Sequence, residues 1–279
     1  MGKQSKRQTS ILCMQKHEFL FSCPICRQSM QVLASGDIKC AQNHTFTIAK
    51  QGYVNFLTKN TETQYSKSLF ESRKDVIDSG LYSEMHDEIT RLIGNRVYSI
   101  LDTGCGEGSH LHYIGLRLQP DLVTVGIDIS KEGIMCAAKY YEQTMWCVGD
   151  LANSPFQEQS FDVILNILSP ANYVEFKRVL RKGGKVIKVV PQANYLKELR
   201  EQVYANSDKE NYSNHQIIKR FQENFSTVTK KRITYTKTIE EGLLPKLLQM
   251  TPLGWHIRDE GEISLNEITI DLDILVGEM

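Results

Sequence analysis

Residues 101–108 read Leu-Asp-Thr-Gly-Cys-Gly-Glu-Gly, an apolar strand end that runs into three alternating glycines with one acid, Glu107, inside the turn. Glycine is needed where backbone bends sharply or must lie against a ligand, because a Cβ would clash there. A strand feeding such a turn is the usual nucleotide or nucleoside site of an open α/β sheet. The pyrophosphate-binding form of this loop spaces its glycines differently and aims a helix N-terminus at the anion. Here Gly104, Gly106 and Gly108 alternate, and Glu107 would repel a pyrophosphate. An acid at this place suits a cationic ligand with hydroxyls and an amine, which describes S-adenosylmethionine better than NAD or ATP. Taken alone, the pattern is equally that of a plain strand-to-helix turn.

The following residues narrow the reading. Val123–Ile127 is a second apolar strand ending at Asp128, about twenty residues past the glycines, where a carboxylate accepts hydrogen bonds from ribose hydroxyls. Asp128 would alternatively cap the helix that starts near Lys131, a task that Ser130 performs equally well. Met145–Val148 predicts a third strand followed by Asp150, which is placed to take an adenine amine. Phe161–Leu168 and Lys185–Val190 predict two more strands, the last introduced by the turn Arg181-Lys182-Gly183-Gly184. Strands alternating with helical stretches imply a parallel sheet with crossover helices.

The ordered segments LDTGCGEG, GIDIS, VGDLA, FDVILNILSPANY and LRKGGKVIKV together resemble the class I S-adenosylmethionine-dependent methyltransferases over roughly residues 96–191. The resemblance implies a Rossmann-like α/β fold with a mostly parallel seven-stranded sheet. It also implies that Asp102, Gly104, Gly106 and Glu107 lie under the methionine part of the cofactor, Asp128 at its ribose, and Asp150 with Leu151 at its adenine.

A second signature lies near the start. Cys23-Pro-Ile-Cys26 is followed by Cys40 and His44, two close ligand pairs separated by an arm. That spacing suits a tetrahedral zinc site, each pair sitting on a tight turn. A redox Cys-x-x-Cys would have no use for the second pair. No open coordination position is implied, so the metal is expected to be structural and to supply folding energy to a segment too short for its own core. Cys13, Cys105, Cys136 and Cys147 lack such partners and read as packing residues.

The chain has 279 residues, 41% apolar content and zero formal charge. No window approaches a membrane span. The start is polar and basic, without an apolar signal region, so a cytoplasmic location is expected, consistent with cysteines serving as thiols or ligands. Charge is unevenly spread: residues 1–60 hold eight Lys and Arg against Glu18 and Asp37, a net of plus six. A basic, metal-pinned module is suited to phosphates and unstacked bases. Phe46 and Phe56 read as the module's own core, and Tyr53 fits either role.

The segments CPICRQSM, CAQNHTFTIAKQGYVNFL, FESRKDVIDSGLY and LLQMTPLGWH resemble the bacterial 23S ribosomal RNA guanine-N1 methyltransferases of the RlmA type. VGDLA, SPANYVEFKRVL and YSNHQI are closer to its Gram-positive branch, some members of which are linked to macrolide resistance. This resemblance implies a zinc ribbon that docks on a 23S RNA hairpin, methylation of one loop guanine, and a homodimer. It further implies that Tyr82 closes over the cofactor. Two positions depart from the family pattern: Thr47 stands where relatives usually carry Asp, and Tyr195, also expected beside the cofactor, where they often carry His. Asn172 and Tyr173, in the loop after the fourth strand, are the expected substrate contacts: Asn172 would fix the base edge and Tyr173 stack on it.

The expected organisation is a flexible tail (1–19), a zinc ribbon (20–58), a linker with helices over the cofactor mouth (59–95) and a methyltransferase domain (96–279). Within it, Leu69–Ile93, Tyr195–Ala205, His215–Phe225 and Gly242–Met250 are expected helices, Thr227–Ile239 a strand, and Ile268–Val276 a last strand inserted antiparallel at the sheet edge. Two other functions fit parts of the chain. One is a small-molecule methyltransferase with a ribbon for oligomerisation, which would not need a basic ribbon. The other is a non-enzymatic RNA-binding protein, against which the intact acids Glu107, Asp128 and Asp150 speak.

Overall fold

The computed structural model describes residues 4–59, 65–95, 97–203, 213–240, 242–251 and 264–279. Trp255, His256 and the greater part of the polar stretches 59–65 and 207–213 fall outside them. Strands β1 (Met30–Val32), β2 (Asp37–Cys40) and β3 (Thr45–Thr47) form a small antiparallel sheet at the metal site. β4 (Tyr53–Asn55), β5 (Ser99–Thr103), β6 (Val123–Asp128), β7 (Met145–Val148), β8 (Phe161–Ile167), β9 (Leu180–Pro191), β10 (Thr227–Thr238) and β11 (Glu267–Glu278) form one sheet in the order β10-β11-β9-β8-β5-β6-β7-β4. The central strands are buried on both faces, as the unbroken apolar runs of a helix-covered parallel sheet require.

The sheet has eight strands rather than seven. β4, from the segment expected to be ribbon alone, pairs in parallel with β7 through Asn55 opposite Val148. Phe56 N also donates to Val148 O at 2.8 Å. The ribbon residues Phe21, Ile38 and Val54 then share a continuous core with Leu101, Val125, Phe156 and Phe161 of the catalytic sheet. The ribbon segment therefore packs directly on the catalytic sheet. Tyr53 is buried in β4, while Phe46 packs on Phe56 with ring centres 5.1 Å apart.

The expected tail is instead helix α1 (Lys6–Lys16). Ser5 caps it by accepting from Gln8 N, and Ile11 and Met14, one turn apart, are fully buried. Their burial contributes roughly 1.5–3 kcal/mol each. Arg7 Nε donates to Ile48 O at 3.0 Å and Gln15 Nε2 to Val32 O at 3.1 Å. A short helix with so narrow an apolar stripe has little stability of its own, so its sequence reads as a polar tail.

The helical stretch expected over 69–93 is two helices, α2 (Lys67–Asp78) and α3 (Ser83–Ile93), broken at Gly80, where φ is +81°. α4 (Ser109–Gly115), α5 (Lys131–Tyr140), α6 (Tyr173–Val179), α7 (Lys197–Val203), α8 (His215–Gln222) and α9 (Leu243–Met250) complete the element order. β11 does not lie at the edge. It inserts between β9 and β10, antiparallel to both. Ten consecutive buried residues of β11 demand neighbours on both sides, whereas β10 carries Lys230, Lys231 and Arg232, the charged composition that keeps an edge strand from pairing further.

Candidate functional site

Gly104 and Gly108 both take positive φ, and neither tolerates a side chain. A Cβ on Gly104 would stand 1.9 Å from Ser169 Oγ, and one on Gly108 would stand 2.3 Å from the Trp146 ring. Gly104 N and Cys105 N donate to Ile127 O at 2.8 and 3.2 Å, folding the turn back onto β6. Asp128, the last residue of β6, accepts from Gly106 N and from Ser130 N, both at 2.8 Å. Ser130 caps α5 through Gly133 N. The cap and the acid are thus separate residues, and the Asp128 carboxylate addresses the glycine turn.

Asp102 and Glu107 are buried beside it, 2% and 1% exposed, and Asp102 Oδ1 and Glu107 Oε2 have no hydrogen-bond partner among the described residues. Burial, reinforced by the charges of Asp128 and Glu107, pushes the Asp102 carboxyl up to about 8. The facing cation is Arg73 of α2, whose Nε lies 4.0 Å from Glu107 Oε2. Its guanidinium also reaches close to Gly106. Three carboxyls against one guanidinium leave orphaned acceptor oxygens in a low-dielectric place, an arrangement completed by a ligand cation with hydrogen-bond donors.

A pH dependence follows. The folded pKa of Asp102 lies above its ordinary 3.8, so the cofactor-free protein is expected to lose stability as pH climbs from about 4 towards 8. A cation bound against Asp102 would expel its proton. Cofactor affinity should therefore rise between about pH 6 and 8 and then level off, and Asp102→Asn should flatten that slope. Calorimetric titration in buffers of different ionisation heat reads the released proton; an affinity that stays flat for the wild type would show that Asp102 does not meet the cation.

Tyr82 and Tyr195, far apart in sequence, join hydroxyl to hydroxyl at 2.7 Å. Tyr82 also packs edge-on against His110, which is 2.9 Å from His86 through ring nitrogens. Burial pushes Tyr82 well up and holds His110 well below the usual imidazole range, so this wall is neutral. Asp150 follows β7, next to β6 in the sheet, exposed and accepting from Ala152 N at 2.8 Å. Gly149 N donates to Asp128 O at 2.9 Å, and half-buried Leu151 packs on the core. Asp102, Asp128 and Asp150 thus stand at or just past the ends of three adjacent strands.

Asn172 and Tyr173 take other roles than the expected ones. Asn172 Oδ1 accepts from Glu175 N at 3.1 Å and caps α6. Tyr173 is buried among Phe176, Phe221 and Phe225. An Asn before a helix is a cap first, and two of the three aromatic partners, Phe221 and Phe225, come from α8 and the turn after it, beyond local reading. Arg73 and His110 stand at the site without a motif of their own in the sequence. Arg73 lies inside FESRKDVIDSGLY, but the direction of its helix was needed to aim it. Lys188 interrupts the apolar run of β9, a polar residue where both faces are buried.

In the ribbon, Cys23, Cys26, Cys40 and His44 offer ligand atoms that all lie within 4.8 Å of one another. His44 Nδ1 is 3.5 Å from Cys23 Sγ and from Cys40 Sγ, and Cys26 Sγ is 3.7 Å from Cys40 Sγ. A tetrahedron with bonds of about 2.1–2.3 Å to zinc has edges of about 3.6–3.8 Å, so the cluster fits the ion. Arg27 and Asn43, one in each ligand turn, take positive φ. Thr47 Oγ1 donates to Asp37 at 2.7 Å, tying β3 to β2 where the family pattern departs. Arg27 Nη1 to Ser154 O (3.0 Å) and Asn153 Nδ2 to Pro24 O (2.9 Å) lock the ribbon onto the segment after Asp150.

An open sheet with a glycine turn, three strand-end acids and a tetrahedral Cys3His cluster defines a class I S-adenosylmethionine-dependent methyltransferase carrying a structural zinc ribbon. Residues 95–242 match the methyltransferase domain family, and residues 21–61 match the N-terminal zinc ribbon of RlmA. A Bacillus subtilis (strain 168) protein, YxjB, provisionally named a 23S rRNA (guanine-N(1)-)-methyltransferase, is 41% identical over 276 residues, covering 92% of this chain and 96% of its own. The 23S rRNA (guanine(748)-N(1))-methyltransferase of Streptomyces fradiae is 25% identical over 91% of this chain and 95% of its own. Among solved structures, the YcgJ protein of Bacillus subtilis covers 70% of this chain and 97% of its own, with 18% identity and a TM-score of 0.48. The chain belongs to the 23S ribosomal RNA guanine-N1 methyltransferase family.

Proposed function

We propose that the chain transfers a methyl group from S-adenosylmethionine to N1 of one guanine in a 23S ribosomal RNA hairpin loop. The observation that carries this is a cofactor sheet continuous with a zinc ribbon, in a chain 41% identical over nearly its whole length to a protein named for that reaction. The finer reading is guanine 748, supported by the Streptomyces relative and the Gram-positive motifs. Such an enzyme works in the cytoplasm, as a homodimer in this reading, and contributes to macrolide resistance. Among the described residues, no helix is long and apolar enough to cross a membrane. Lys16, Lys39, Lys50 and Lys59, with the exposed Phe19 and Ile25, offer the ribbon's charge and apolar surface to RNA.

The cofactor supplies an electrophilic methyl group on a sulfonium sulfur. Asp128 would hold the ribose hydroxyls, Asp102 and Glu107 would face the ammonium and sulfonium charges, and Arg73 would take the methionine carboxylate. Asp150 and Leu151 border the adenine. Tyr82 and Tyr195, joined through their hydroxyls, would exclude water from the bound cofactor. Guanine N1 carries a proton near neutral pH, which must leave as the new bond forms. Holding the two reacting atoms in line contributes about 7–11 kcal/mol, and a loop base costs little to unstack.

The test is incubation of the protein with S-adenosylmethionine and 23S RNA, followed by reverse transcription. An N1-methyl blocks Watson–Crick pairing, so a new strong stop next to guanine 748 is expected. A stop elsewhere would overturn the position. Transfer to small molecules alone, or none, would overturn the function.

A further inference from the structure

Lys188 lies in the middle of β9 with 3% of its surface exposed. It pairs in register with Asn166 of β8. Lys188 Nζ donates to Asn166 Oδ1 and, at 2.8 Å, to Ser169 O. Asn166 Nδ2 donates in turn to Thr103 O (3.1 Å), Thr103 Oγ1 (3.2 Å) and Pro170 O (3.0 Å). A polar row therefore crosses three adjacent strands and ends on the carbonyls of two consecutive loop residues. That loop is strained: Leu168 is a non-glycine residue at φ +51°, a conformation that persists only when its surroundings over-determine it. The loop is also pressed on the cofactor turn, since Ser169 Oγ fills the space above Gly104.

Among the described residues Lys188 has no carboxylate partner; an ammonium buried this way is costly, and a well-packed apolar side chain would hold the sheet at least as well. Burial lowers Lys188 to about 8, in keeping with that cost. Its two acceptors indicate what it does: both fix the path of the backbone that leaves β8 beside the glycine turn.

We propose that Lys188 is a positioning residue for methyl transfer, acting with Asn166 to hold the Ser169–Pro170 backbone against the glycine turn as the wall on which the guanine is presented. This rests on the functional reading above. A displacement of about 1 Å at a reacting centre costs on the order of a hundredfold in rate.

The experiment compares full-length wild type, Lys188→Met, Asn166→Ala and the double variant for kcat and KM on the 23S hairpin, affinity for S-adenosylhomocysteine, and Tm. Lys188→Met is expected to lower kcat about 30–100-fold while KM and cofactor affinity stay within about threefold. Because both residues act through one loop, the double variant should be little slower than the worse single one. Thr103→Val, which removes one acceptor of Asn166 with little change in shape, should lower kcat about three- to tenfold and serves if Lys188→Met does not fold. A kcat unchanged in Lys188→Met and Thr103→Val, or one that falls only in step with cofactor affinity and Tm, would overturn the proposal. Wild type that does not methylate 23S RNA would instead overturn the function on which it rests.

Discussion

Removing zinc is expected to lower the single unfolding transition of the whole chain by on the order of 10 °C, rather than to melt a separate N-terminal unit. Three cysteines and a histidine within 4.8 Å of one another cannot stay together as thiolates without the ion. The loss does not stop at the ribbon. β4 continues directly from it into the catalytic sheet, and Phe21, Ile38 and Val54 lie in the same core as Leu101 and Val125. Arg27 and Asn153 tie the Cys23–Cys26 turn to the segment after Asp150, so affinity for S-adenosylhomocysteine should fall as well. Calorimetry with and without a chelator, repeated on Cys40→Ala, makes the measurement. Two resolved transitions, with cofactor affinity intact after the first, would show an independent ribbon whose role is confined to RNA.

Asp128→Ala should abolish measurable binding of S-adenosylhomocysteine, a loss of at least about a hundredfold. Two charge-assisted hydrogen bonds to ribose are worth roughly 1.5–3 kcal/mol each. The same substitution releases Gly106 N and Ser130 N, which Asp128 now holds. Arg73→Gln makes the informative contrast. Arg73 faces Glu107 from α2, and in the proposed function it would meet only the amino-acid end of the cofactor. Its loss should weaken S-adenosylhomocysteine about 10–100-fold, yet leave 5′-methylthioadenosine, which lacks the amino acid, nearly unchanged. Asp128→Ala should weaken both. Equal losses of both ligands in Arg73→Gln would show that the arginine supports the turn rather than the carboxylate.

The glycine turn and the acids at the neighbouring strand ends are legible as places in the fold because their signals are local. A glycine turn after a strand, and acids at the ends of the next two, depend on backbone sterics and strand length, which a short window contains. The zinc cluster was legible for the same reason: each ligand pair closes within one turn. At Asn172 and Tyr173 the loop-to-helix junction is engaged in capping and packing, which no local window shows, since Phe221 and Phe225 lie about fifty residues away.

Periodicity and spacing alone thus determined a parallel α/β sheet, its glycine turn, Asp128 and Asp150 at the ends of its strands, and a Cys3His metal site. Only the tertiary structure decided that α1 is a helix, that β4 leaves the ribbon to become the eighth strand, that β11 is enclosed rather than at the edge, and that Arg73 and Lys188 reach the site. Each of these depends on contacts with residues from other elements of the fold, from about twenty to well over a hundred positions away, which no local window contains.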